Sequence, residues 1–158
     1  MRQFMRFIAV VGSAVVVSML VASSTVAAKD GPKNAFFIGQ KTCAPHLTPP
    51  LFTCVMTGSN VPLLQGAAVK YISVPAIFPG PMRIDSDVVL TTAAAAGAKQ
   101  STARGHCEFY FSTGTGLCTY QSGTHALAGF RAVWVVGPTT TAHVFSVIGK
   151  YSIGGNND

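Results

Sequence analysis

The chain has 158 residues, 49% of them apolar, with 11 basic side chains, only 5 acidic ones and a formal charge of +6. That length fits one domain and disfavours a multidomain enzyme. The high apolar fraction argues against a disordered chain, and no apolar run reaches the roughly 20 residues of a membrane-spanning helix.

From Met1, Arg2 and Arg6 precede an apolar stretch, Phe7 to Ala22, which ends in Ser23-Ser24-Thr25-Val26-Ala27-Ala28. A basic start, an apolar middle and a small-residue end are the order of a secretory signal peptide, so cleavage is expected after Ala28. Gly12, Ser13 and Ser18 interrupt the stretch, which is too short for an anchor. A lipid anchor would need a cysteine directly after the cleavage point, yet the first is Cys43. Residues 29–158 then form one exported domain of roughly 130 residues, about 45% apolar and about +4 in net charge, with no stable membrane anchor.

The rest of the chain reads as short apolar, β-branched and aromatic runs between turn residues. Strands are predicted over residues 35–39, 52–57, 67–74, 82–92, 105–111, 117–121, 127–136 and 144–153. The intervening segments are rich in Pro, Gly, Asn and Ser. The alanine stretch at 93–98 is the one place a helix could start, and Gly97 limits it to about one turn.

Four cysteines fall as two equally spaced pairs, Cys43 with Cys54 and Cys107 with Cys118. Four cysteines allow three connectivities. Short-range pairing is the simplest, and for the second pair a hairpin centred on Ser112-Thr113 puts the two cysteines opposite each other, within disulfide reach. A zinc site would want cysteines two to four residues apart, so no metal is expected.

Alternation assigns faces. In the fourth strand Met82, Ile84, Val88 and Leu90 oppose Arg83, Asp85 and Asp87; in the fifth, Cys107, Phe109 and Phe111 oppose His106, Glu108 and Tyr110. In the seventh, Phe130, Ala132, Trp134 and Val136 oppose Arg131, Val133 and Val135, and the eighth sets Phe145, Val147, Tyr151 and Ile153 together. Eight such strands close into an antiparallel barrel or stack as a sandwich. The barrel is preferred because closure removes exposed edges. Its interior would be just wide enough to be filled by its own side chains or to hold one small ligand.

The segment from Gly116 to Phe130, with Gly123 and Gly129 at turns, resembles the glycine-patterned segment of the allene oxide cyclase and dirigent barrels, and Gly149-Lys150-Tyr151 is similar to the end of their closing strand. His125 stands where those families usually carry a second glycine. The resemblance implies an eight-stranded barrel around an apolar cavity and carries over no catalytic position.

Among chemical candidates, Asp85 with Asp87, and His106 with Glu108, have the spacing for proton transfer but oppose the apolar face, where water would solvate them. Only if the polar faces lined the lumen would Arg83, Asp85, Asp87, His106, Glu108, Tyr110 and Arg131 form a charged active site. Gly114-Thr115-Gly116 precedes a strand and so lacks the helix that makes a phosphate cradle. The basic residues form no cluster, so nucleic-acid binding is not expected. No cofactor is indicated. The leading reading is a non-enzymatic exported barrel that binds a small apolar or aromatic compound, with Met82, Ile84, Phe109, Phe111, Phe130, Trp134, Phe145 and Tyr151 as lining. The alternatives are a cyclase- or isomerase-like enzyme on an apolar substrate, a fully packed structural module, and an outer-membrane barrel with its apolar faces turned to lipid.

Overall fold

The computed structural model describes residues 31–45, 52–73, 83–94 and 97–154. The expected export signal, residues 1–28, and the candidate Met82 lie outside these. Eight strands follow in chain order: β1 (Ala35–Pro45), β2 (Phe52–Ser59), β3 (Ala68–Tyr71), β4 (Arg83–Thr91), β5 (Thr102–Tyr110), β6 (Thr115–Gly123), β7 (Arg131–Pro138) and β8 (Val144–Ser152). Each pairs antiparallel with the next, and β8 pairs back onto β1, so the sheet is a closed barrel and not a sandwich.

Two expected boundaries are corrected. The first strand runs past Gly39 to Pro45, because Lys41 to Pro45 pair in register with Met56 to Phe52. The seventh begins at Arg131 and not at residue 127: His125–Leu127 form a 3-10 turn, and Gly129 at φ +69° ends it. Of the alanine stretch, Ala93 and Ala94 are irregular and Gly97 is a turn.

Both cysteine pairs are disulfides across neighbouring strands, Cys43–Cys54 joining β1 to β2 and Cys107–Cys118 joining β5 to β6. Parity turns all four sulfurs inward, and three of the four residues are fully buried.

The strand alternation settles which face is inside. Ile84, Ser86, Val88 and Leu90 are buried on β4, while Asp85 and Asp87 face out. On β7, Ala132, Trp134 and Val136 are buried between exposed Arg131, Val133 and Val135. The outer face is not wholly polar. Ile38, Ile148, Val135 and Leu117 stand in register across β1, β8, β7 and β6, each about half exposed.

Because the chain is a simple meander, the β1–β2, β3–β4, β5–β6 and β7–β8 connections gather at one end of the barrel, here called the mouth. The other connections gather at the base, as do the start of β1 and the end of β8. The base is packed: Leu64, Leu127 and Phe130 have no exposed surface. Above them Trp134 stacks on Phe37 at 4.6 Å between ring centroids, with Tyr120 at 4.8 Å. Fully burying each large apolar side chain contributes about 1.5–3 kcal/mol, so this aromatic plug is a principal source of stability. Room for the rings comes from glycine. Gly105 lies opposite Tyr120, and a Cβ there would meet both the ring and the Thr119 carbonyl; Gly116 stands in the same relation to Phe109.

Candidate functional site

Towards the mouth the interior opens. A cavity of about 380 Å³ is walled by Phe52 of β2, Tyr71 of β3, Ile84 of β4, Phe109 and Phe111 at the end of β5, and Phe145 of β8, with the Cys43–Cys54 disulfide and Lys41 among its other lining groups. Gly114 and His143, from the β5–β6 and β7–β8 turns, border the entrance. The rings meet edge to face, Phe109 with Phe111 at 5.6 Å, Phe109 with Phe145 at 5.3 Å and Phe52 with Tyr71 at 6.1 Å. Such contacts hold the wall rings in fixed orientations.

Lys41 is the polar feature of this wall. Its side chain is only 4% exposed, and its Nζ donates to the Tyr71 Oη at 3.0 Å while lying 5.5 Å from the centre of the Tyr71 ring. On β1 it alternates in phase with Phe37, Gly39 and Cys43, so the pleat drives it inward. It is the innermost of the three β1 residues that line the cavity, the others being Cys43 and Pro45. Among the described residues no carboxylate lies within 4.0 Å of the ammonium; the ion pairs there involve only Arg83, His106, Asp85 and Asp87. Lys41 lies beyond the first strand as predicted from the sequence, which stopped at Gly39 and so gave it no face. The parity running on to Cys43 was the signal that places it inside.

Of the anticipated lining residues, Ile84, Phe109, Phe111 and Phe145 are brought together around the cavity. Phe130, Trp134 and Tyr151 are buried but do not line it; Phe130 and Trp134 belong to the packing below. The lower interior also holds Tyr120, whose phenol burial pushes well above its usual 10.0, with neighbouring Tyr71 adding to the shift. A buried phenol of that kind is a hydrogen-bonding group and not a base at neutral pH.

The charged residues considered for acid–base chemistry lie on the outside of β4, β5 and β7, so they form no lumenal active site. His106 sets Nε2 2.8 Å from an Asp85 oxygen and Nδ1 3.1 Å from an Asp87 oxygen, and both nitrogens donate when the ring is protonated; Arg83 reaches Asp85 at 3.6 Å, and Tyr110 donates to Glu108 at 3.4 Å. The hydrogen bond to Asp87 is the largest cause that raises the His106 pKa, and both aspartates add to it. Asp85, His106 and Glu108 bring one ligand atom each within 4.8 Å, a spacing a cation could use. His106 already commits both ring nitrogens to aspartates, which makes the arrangement a surface ion-pair network.

Comparison of the chain with protein-family models, with curated proteins and with solved structures gives no match. The functional reading therefore rests on the geometry of the barrel.

Proposed function

We propose that this is an exported, non-enzymatic barrel that binds one small apolar or aromatic molecule in the mouth cavity. The supporting observation is the cavity itself: an open space of about 380 Å³ with an almost continuous aromatic and aliphatic wall, above a core of packed buried side chains. That volume lies within the usual range for small-molecule sites, and so does the lining, mostly apolar with a few placed polar groups. The two disulfides are consistent with an oxidising compartment, which fits the export signal read at the N-terminus. The acid–base groups considered for an enzyme face solvent, which favours binding over turnover.

Titration of the oxidised protein with the uncharged dye N-phenyl-1-naphthylamine tests the reading. Saturable, blue-shifted fluorescence corresponding to one site per chain is expected. Ile84→Trp, which places a larger side chain in the wall, should reduce it strongly while leaving the β-sheet circular dichroism intact. A wild-type protein that gives no saturable enhancement would remove the binding proposal.

A further inference from the structure

We infer that the cavity selects a compact aromatic monocarboxylate, whose carboxylate is held by Lys41 and Tyr71 and whose rings lie among Phe52, Phe109, Phe111 and Phe145. This rests on the binding proposal above and names the ligand class of that site.

Lys41 and Tyr71 have hydrogen-bonding capacity to spare. A lysine ammonium carries three donors and a tyrosine hydroxyl carries one. The single contact between them uses one ammonium hydrogen and leaves two more, together with the Tyr71 hydroxyl hydrogen, without an acceptor among the described residues. Among the described residues the charge is equally uncompensated. The acidic residues among the described ones, Asp85, Asp87 and Glu108, are on the outer face. In the sequence, residues 46–51 and 74–82 contain no Asp or Glu. A buried cation without a counter-ion is costly, because desolvation is not repaid. A carboxylate meets both needs at once, since its two oxygens accept several hydrogen bonds and its charge neutralises the ammonium. A neutral carbonyl or hydroxyl would satisfy donors but leave the charge.

The wall then limits the rest of the molecule. Lys41 and Pro45 mark the inner and outer lining positions on β1, four residues apart, so the lining on this strand runs for about 13 Å. Two fused rings and a carboxylate fit within that length, whereas a long alkyl acid would project from the mouth. Rings are also what the aromatic wall accommodates best, by edge-to-face and offset contacts.

Calorimetric titration with 2-naphthoate and with its uncharged counterpart 2-naphthalenemethanol tests this directly. The acid is expected to bind the wild-type protein about tenfold or more tightly than the alcohol. Lys41→Met should abolish that preference, weakening the acid while leaving the alcohol within about twofold, and Tyr71→Phe should weaken the acid by a smaller factor. Lys150→Met, which removes an exposed charge on the outer face, should change neither. Equal affinity of the wild-type protein for acid and alcohol would overturn the assignment while leaving an apolar binding site in place, and this comparison needs no variant to fold. Palmitate binding more tightly than 2-naphthoate would overturn the compact-ring part. Binding of neither naphthalene compound, together with no response to N-phenyl-1-naphthylamine, would remove both the ligand class and the site.

Discussion

His106 shows how two outward carboxylates bias a surface imidazole. Its hydrogen bond to Asp87, assisted by the nearby charge of Asp85, raises its pKa above the usual 6.5. A raised folded-state value means that the charged ring stabilises the fold fully below about pH 6.5, and that this contribution disappears as pH rises through the folded value. The ring is 44% exposed, so solvent screening keeps the stability effect small. A proton-NMR titration should place the His106 midpoint above 6.5, and Asp87→Asn should move it down; a wild-type midpoint at or below 6.5 would contradict the geometry. The sequence placed Asp85, Asp87, His106 and Glu108 on outward faces of two successive strands, coupling the aspartates to each other and His106 to Glu108, whereas the register of β4 against β5 brings His106 to both aspartates. The sequence concealed Lys41 for a different reason. A charged residue in a β-strand is ordinarily an outward one, and only the strand's continuation through Cys43 shows that it points in.

At the scale of the elements, hairpin arithmetic was the strongest guide. A centre at Ser112-Thr113 dictates Cys107 opposite Cys118, and that is the register found, from Glu108 opposite Leu117 to Tyr110 opposite Thr115. Each disulfide closes a loop of similar length, with a sequence separation of 11, and should contribute about 3 kcal/mol by restricting the unfolded chain. The double variant Cys107→Ala/Cys118→Ala should therefore show a lower urea midpoint, equivalent to a loss of about 3 kcal/mol or more once the vacated core space is included. A loss below about 1 kcal/mol would mean that the staple does not constrain the hairpin. Boundaries were less legible where a buried residue belongs to a turn. Leu127 has the apolar character of a strand residue, yet it plugs the base from a 3-10 turn entered through His125 at φ +51°.

For the molecule as a whole, alternation tells which side chains face inward but not at what height along the barrel they sit. That height depends on strand tilt and stagger, which a single sequence does not display. The inward residues therefore divide in a way that periodicity does not reveal, with Phe37, Phe130 and Trp134 filling the lower part and Phe109, Phe111 and Phe145 bordering open space. A ligand that enters this space stabilises the entire barrel by mass action. At a hundredfold excess over its dissociation constant, 2-naphthoate should add about 2.7 kcal/mol, read as a concentration-dependent rise in melting temperature. A melting temperature that ignores ligand concentration would show that nothing binds the native state.

The topology has one more consequence, for the order of assembly. Both disulfides staple strands that are neighbours in sequence, whereas the barrel is completed by pairing the first strand with the last, from Ala35 with Tyr151 to Thr42 with Val144. Hairpins form locally and quickly, while a contact between distant ends must first overcome the entropy of closing nearly the whole chain. Oxidation can thus be finished on a chain that is still an open sheet, and the seam between β1 and β8 is held by hydrogen bonds and packing alone. Of all the strand pairs it is the one whose partners lie farthest apart in the sequence, so it is the pairing that local hairpin formation helps least.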